Sequence, residues 1–315
     1  MPLILPSNQT PLGALPARFR RQRVLIVGCG DVGLRVARRL APRMQVLALT
    51  SDATRVDELR ALGVRPLVGN LDEPAGLRRL AGLAQRVLHL APPPGEGWAE
   101  PRTQALVRSL RRRSLPQSLV YGSTSGVYGD CQGAWVTESR PVNPFTQRAI
   151  RRVQAEAWVR HLGRGGAGSL RASILRIPGI YASDRVGGTP RGRLEKRTPV
   201  LQREDDVFTN HIHAEDLARA CLLALWRGRP QRTVHVSDDT DLRMGDYFDL
   251  AADMMGLPRP PRVPRREAED HLPLMLLSFM SESRRLSNAR MKKELRLKLL
   301  YPTVVEGLQA GLSRA

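Results

Sequence analysis

The sequence predicts an α/β chain, a doubly wound parallel sheet followed by a smaller C-terminal lobe. Three observations carry this reading. Apolar runs of strand length alternate with amphipathic helical stretches from residue 23 to residue 181. The first run, RVLIVG at 23–28, is apolar without alternation and ends in glycine, as a strand buried on both faces does. Beyond residue 181 the alternation loosens into ASDRVGGTPRGRLEKRTPVLQREDD, a loop-like stretch of glycine, proline and charge.

The elements follow in order. DVGLRVARRLA is an amphipathic helix, QVLAL at 45–49 a second strand, and TRVDELRALG a second helix closed by Gly63. VRPLVG is the third strand. EPAGLRRLAGL is the third helix, with Pro74 near its first turn, and RVLHLA is the fourth strand. A helix covers roughly 99–113, SLVYGS at 118–123 is the fifth strand, a helix spans roughly 145–162, and RASILRIPGIY at 171–181 is the sixth strand. A helix at 214–227, a strand TVHVS, a helix at 244–256, a proline-rich turn LPRPPRVP and two more helical stretches complete the chain. ESRRLSNARMKKEL, 282–295, reads as a charged amphipathic helix with a solvated face. No internal repeat is present. Residues 1–22 read as a loose extension, because Pro2, Pro6, Pro11 and Pro16 break the amphipathic helix that a transit peptide needs. Residues 23–181 form the sheet domain. Residues 182–315 form mostly the smaller lobe, with some segments returning to the sheet.

Composition narrows the function. The formal net charge is +20, from 50 basic and 30 acidic residues in 315, and only four of the basic residues are lysine. The arginines are scattered and aromatics are 4% of the chain, whereas single-stranded nucleic acid needs aromatic stacking platforms. The charge therefore reads as arginine on solvated faces, and no specific nucleic-acid partner is expected. Cys29, Cys131 and Cys221 are far apart, which gives neither a metal knuckle nor a disulfide framework and fits a reducing, cytoplasmic setting. LPLMLLSFM is too short to span a bilayer, so no membrane association is expected. The oligomeric state is left open.

The strongest motif is Gly28-Cys29-Gly30-Asp31-Val32-Gly33, a G-x-G-x-x-G between a strand and a helix. Gly28 permits a tight turn, Gly30 lets backbone N–H groups approach a pyrophosphate on the helix N-terminus, and Gly33 lets helix pack on strand. In this context the motif predicts a Rossmann sheet that binds NAD or NADP. The end of the second strand, with Thr50 and Ser51, faces the adenosine ribose. Asp52 and Arg55 follow, an acid favouring NAD and an arginine NADP, and neither sits directly after the strand, so the choice stays open. Asp72 falls near the adenine or caps the next helix.

Together the loop, HLAPPP after the fourth strand, YGSTSGVYGD after the fifth, NP opening the next helix, LRIPGIY and HIHAEDLA resemble the extended short-chain dehydrogenase/reductase superfamily of the NAD-dependent epimerase/dehydratase type. The resemblance covers about residues 23–260. It is to an atypical branch, since extended members usually carry G-x-x-G-x-x-G. It implies cofactor contacts at Ala91, Ser123 and Pro178, and a Ser/Thr hydroxyl at Thr124 that hydrogen-bonds the substrate oxygen. The family's general acid/base Tyr and its partner Lys belong to Y-x-x-x-K directly after Asn-Pro. Here those positions are Phe145 and Ala149, and the first lysine in the chain is Lys196. Tyr128, Tyr181, His211 and His213 are the remaining groups that could move a proton, and His213 with Asp216 reads as a brace for the following helix. The resemblance implies an NAD(P)-binding oxidoreductase or epimerase acting on a small or nucleotide-linked substrate, without the usual Tyr/Lys pair. The alternative is a non-catalytic dinucleotide-binding sensor or scaffold. No metal site is expected.

Overall fold

The computed structural model describes residues 22–165 and 170–312, so the expected N-terminal extension lies outside the described residues except for Gln22. Seven parallel strands form the central sheet. They are β1 (Arg23–Val27), β2 (Gln45–Thr50), β3 (Arg65–Val68), β4 (Arg86–His89), β5 (Ser118–Thr124), β6 (Arg171–Ile177) and β7 (Arg232–His235), in the spatial order β7-β6-β5-β4-β1-β2-β3. β1 lies between β2 and β4, with Leu25 opposite Leu47 and Val87.

The apolar run of β1 explains the two helix layers. Successive side chains of a strand point to opposite faces. Val24 and Ile26 pack with Val36, Ala37 and Leu40 of α1 (Asp31–Leu40). Leu25 and Val27 enter a second cluster, with Leu106 of α3 (Pro101–Leu110) and Val159 of α4 (Gln147–Arg164). The short α2 (Val56–Ala61) connects β2 to β3. All four β1 side chains are buried, and full burial of an aliphatic side chain contributes about 1.5–3 kcal/mol. A strand facing solvent on one side could not bear such a run.

Beyond residue 181, β7 joins the sheet, and α5 (Ala214–Arg227) packs on the α1 face through Leu217, Cys221 and Leu225, with Met291, Leu295 and Leu297 in the same layer. Much of the rest forms a separate apolar cluster. It is built on α6 (Met244–Met255), followed by α7 (Arg265–His271), α8 (Leu274–Met280) and α9 (Val304–Leu312). α6 ends at Gly256 in the left-handed conformation, φ 64°.

Four elements differ from expectation. The third helix is a 3₁₀ stretch, Pro74–Leu80. The sixth strand breaks at Pro178, which has no N–H to offer a ladder. Its second half, Gly179–Tyr181, leaves the main sheet and pairs in parallel with His211–His213. The segment 282–295 is not one helix. Arg285–Leu286 pairs with Trp135–Val136, and a single π-helical turn, Met291–Leu295, follows. Leu286 is buried beside Val136 and Tyr128, whereas Met291 and Leu295 are buried in the α1–α5 layer. One straight helix could not supply both clusters. The two final helical stretches are three helices, α7 to α9.

Candidate functional site

The order of strands reverses between β1 and β4, and the chain leaving their C-terminal ends opens a crevice there. Gly28 follows β1 with φ +86°, and a Cβ on it would sit 2.3 Å from Ala91 N, in the backbone that follows β4. A Cβ on Gly33 would meet Gly28 O at 3.0 Å and Ile26 Cγ2 at 3.4 Å, so α1 lies close on β1. A Cβ on Gly30 would meet nothing within 4 Å. The loop is therefore packed at its first and third glycines and open at the second, which is the shape a pyrophosphate cradle requires.

The helix behind the loop opens on an acid, Asp31, whose charge is answered locally. Arg35 Nε donates to Asp31 Oδ1 at 3.0 Å, and the same buried guanidinium donates to Glu215 Oε1 at 2.5 Å and Asp184 Oδ1 at 2.6 Å. Val32 packs on the sheet face.

In front of the loop lies a cleft of about 280 Å³, lined among others by Gly30, Thr50, Ser51, Arg55, Ala91 and Arg102. Thr50 and Ser51 thus line the cleft, as do Gly28 and Ala91. Asp72 is drawn to Arg102, whose Nε and Nη2 donate to its two oxygens at 2.7 and 2.6 Å. That bond holds its carboxyl below the usual carboxylate range. Asp72 does not cap the 3₁₀ stretch: the capping position is Glu73, with no side-chain bond. Burial pushes the Cys29 thiol up to about 11, which disfavours the thiolate.

The corner that holds Thr124 lies at the end of β5. Ser123 points into the protein, and its hydroxyl donates to Glu156 Oε1 at 2.7 Å. Arg176 donates to both Glu156 oxygens, at 3.0 and 2.7 Å, and to Tyr128 OH at 2.6 Å. Tyr128 OH in turn lies 2.5 Å from His235 Nε2. Burial holds the His235 imidazole neutral, down to about 3, so Tyr128 donates to it. Ser123 and Tyr128 are therefore committed beneath the corner. Thr124 is half-buried, and its Oγ1 accepts from Gly126 N at 3.3 Å. Pro178 separates the two strand segments and is partly exposed.

Phe145 is 89% exposed and Ala149 1%. Thr146 caps α4, its Oγ1 accepting from Ala149 N at 3.2 Å. Three residues beyond Ala149, Arg152 turns inward and donates to Gly122 O at 2.8 Å and Tyr121 OH at 3.0 Å. Tyr181 donates to Thr303 O at 3.2 Å, and burial raises its phenol far above the usual range. Burial also lowers His211, to about 4, and His213. His213 Nδ1 accepts from Glu215 N at 3.2 Å, while Asp216 accepts from Leu300 N and Tyr301 N at 2.9 Å. This pair braces α5 against the C-terminal segment.

One feature of the corner has no signal in the sequence. Glu282 Oε2 and Thr124 Oγ1 converge on Gly126: a Cβ there would lie 3.8 Å from the first and 3.7 Å from the second. Arg284 Nη1 holds Glu282 Oε2 at 2.9 Å and also donates to Gly129 O at 2.8 Å. The Arg148 guanidinium stacks on Phe279, 4.6 Å from its centroid. The chain so carries a hydroxyl and a carboxylate that both approach Gly126. Glu282 arrives from more than 150 residues away, in a segment whose sequence looks like an ordinary charged helix.

Among the described residues no helix is long and apolar enough to cross a membrane, and no group of His, Cys, Asp and Glu could hold a metal ion. No curated protein matches the chain. Among solved structures, a functionally unknown conserved protein from Silicibacter pomeroyi is 29% identical, with TM-score 0.78 over 93% of this chain and 99% of that one. A nucleoside-diphosphate-sugar epimerase from Pseudomonas aeruginosa (18% identity, TM-score 0.74, 93% and 96% covered) shares the fold. So does MoeE5 in complex with UDP-glucose and NAD (19% identity, TM-score 0.71, 93% and 99% covered). The model of the NAD dependent epimerase/dehydratase family matches residues 24–237. With its parallel sheet, its glycine loop and a match of that length, the chain belongs to the NAD-dependent epimerase/dehydratase family.

Proposed function

We propose that the chain binds a nicotinamide dinucleotide in the cleft at Gly28–Gly33 and acts as an oxidoreductase or epimerase on a small or nucleotide-linked substrate. In this reading proton transfer is moved from the usual Tyr/Lys pair to Thr124 and Glu282. The observation that carries it is the loop geometry: Gly28 pressed on Ala91 and Gly30 open to the cleft. The bound cofactor supplies hydride exchange. Thr124 Oγ holds the substrate oxygen, and the Glu282 carboxylate, oriented by Arg284, takes or returns its proton. Family membership supports the cofactor class, and the UDP-glucose named for MoeE5 supports a nucleotide-linked substrate.

A second reading, a non-catalytic sensor or scaffold, draws on the exposed Phe145 and buried Ala149. Two measurements are needed, one for binding and one for turnover. Calorimetric titration of wild type and Gly30→Val with NAD(H) and NADP(H) tests binding. The variant places a branched side chain on the open face and is expected to lose affinity; equal affinity would reject the loop assignment. Hydride transfer over a panel of nucleotide-sugar and small carbonyl substrates then distinguishes enzyme from sensor.

A further inference from the structure

We infer that Arg148 and Arg152, on one face of α4, bind an oxyanion of the substrate at the Thr124 corner, so that the substrate class is acidic, a carboxylate or a phosphate ester. This rests on the reading above, in which Thr124 and Glu282 act on the substrate, and adds the charge that the substrate carries.

The two positions are four residues apart, so their side chains leave α4 on one face. Nothing within the helix favours them there. The first turn of α4 holds no acid, like charges at this spacing oppose each other, and cations near a helix N-terminus meet the positive end of its dipole. Such a local conflict is expected where a site requires it. Arg152 is half-buried. Its Nη1 donates to Gly122 O at 2.8 Å and to Tyr121 OH at 3.0 Å, both neutral acceptors. Gly122 lies two residues before Thr124 on β5. Guanidinium has five N–H donors; the three on Nε and Nη2 have no acceptor among the described residues, and neither nitrogen is buried.

Arg148 is exposed and makes no hydrogen bond or ion pair among the described residues. Its guanidinium rests over the Phe279 ring, 4.6 Å from the centroid, which limits where it can point. The charges that act on it are those of Glu282, Arg152, Arg151 and Arg284. α4 and the segment carrying Glu282 therefore meet at this residue. Arg151 is committed elsewhere, donating to Gly95 O at 2.9 Å. Glu282 is already answered by Arg284 at 2.9 Å. Arg284 is itself nine-tenths buried and keeps a buried Nε without a partner. The two guanidiniums on α4 thus face the corner with no counter-charge left for them. Partly burying a cation in that state is unfavourable. An oxyanion answers both, because the planar fork of each guanidinium matches the paired oxygens of a carboxylate or phosphate. A neutral substrate would leave both charges as they are.

The test is isothermal titration of the full chain with oxamate, with inorganic phosphate and with oxamide, the neutral counterpart of oxamate in size and shape. Each titration is run with and without a saturating dinucleotide, which occupies the glycine loop so that an anion bound there is not counted. Wild type is expected to bind oxamate or phosphate at least about tenfold tighter than oxamide, the scale of one charge-assisted hydrogen bond. The tighter of the two anions assigns carboxylate or phosphate. Arg148→Gln and Arg152→Gln should each remove that margin, Arg152→Lys should keep part of it, and Arg164→Gln, at the far end of α4, should change it less than about twofold. Arg148 is exposed, so its variant decides the matter should Arg152→Gln melt below the assay temperature. Oxamide binding as tightly as the anions, or Arg164→Gln weakening them as much as Arg148→Gln, overturns the inference. So does the absence of anion binding in a chain that titrates with a dinucleotide, which leaves the cofactor reading standing. Arg148-dependent anion binding in a chain that takes up no dinucleotide has the reverse meaning: the anion subsite holds and the cofactor reading fails.

Discussion

Replacing Glu282 by Gln removes the proton acceptor proposed for this corner while keeping its shape. Both partners of the Glu282–Arg284 pair are nearly buried, with side chains 12% and 11% exposed. Deleting one partner of a buried pair costs about 3–5 kcal/mol. Gln keeps an oxygen for Arg284, however, and Gly129 O still accepts from the same nitrogen, so the loss falls to the scale of a hydrogen bond to a charged group, about 1.5–3 kcal/mol. For a chain this long that lowers the melting temperature by a few degrees, at roughly 2–4 °C per kcal/mol. The kinetic effect is expected to be larger. General acid/base catalysis contributes about 10²–10⁴-fold, so kcat/KM for hydride transfer should drop by that factor in a variant still folded at 25 °C. Glu282 does not line the cofactor cleft, so dinucleotide affinity by calorimetry should stay within about twofold. The three readouts are steady-state turnover, thermal melting and cofactor titration. A folded Glu282→Gln enzyme within about threefold of wild type would refute the assignment.

Three further outcomes are expected. In the Glu282→Gln background, the double change Phe145→Tyr/Ala149→Lys should recover about ten- to a hundredfold in turnover and either change alone almost nothing, because the pair acts as a unit; recovery with Tyr alone would contradict this. Arg151→Lys should lower stability by about 1–3 kcal/mol, since Arg151 donates to Gly95 O at 2.9 Å and to Gly97 O and a single ammonium replaces the planar fork poorly; an unchanged melting curve would show that those contacts contribute nothing. Stability should rise from about pH 3 to about pH 6.5: His89, His211 and His235 are held neutral by burial, down to about 3, 4 and 3, so the unfolded chain binds more protons throughout that window. Asp238 has the opposite sign. Burial raises it to about 7, so its contribution is lost as pH climbs from about 4, but three histidines outweigh one aspartate. A urea midpoint that falls between about pH 4 and 6.5 would reverse the argument.

What could be read from the sequence depended on how local the signal was. β1, α1 and the glycine loop are contiguous, and each residue's type follows from a constraint within a few positions: burial on both faces, the close approach of Ala91, the open side at Gly30. The loss of the Tyr/Lys pair was legible for the same reason, since both positions are counted from one Asn-Pro. Structure departs from the sequence pattern where partners are remote. ESRRLSNARMKKEL reads as one charged amphipathic helix, yet Leu286 packs beside Tyr128 and Val136 while Met291 and Leu295 pack with α1 and α5. RASILRIPGIY reads as one strand, but it breaks at Pro178, and Gly179–Tyr181 leaves the main sheet because His211–His213 offers a new partner. Glu282 was invisible because its meaning lies in Thr124 and Gly126, which only the fold brings near.

The arginine excess has a structural use that composition alone does not suggest. Arg86 on β4 and Arg171 on β6 donate, each at 2.8 Å, to Leu225 O and Trp226 O in the last turn of α5. Helices leave their final carbonyls without intrahelical donors, and their C-termini attract cations; here two strands supply those cations from beneath. Arg290 donates to Thr233 O at 2.9 Å, while His235 N donates to Glu138 Oε1 at 3.0 Å. Both groups lie on β7, a border strand of the sheet. Side chains thus occupy backbone groups through which an edge strand would otherwise pair with another chain. Lysine, with its donors on a single nitrogen, suits neither task as well. Much of the positive charge is therefore directed inward, at carbonyls and buried carboxylates such as Glu156 and Asp216. A guanidinium engaged in this way is not free to track a phosphate backbone, so the net charge of +20 overstates the cationic surface open to nucleic acid.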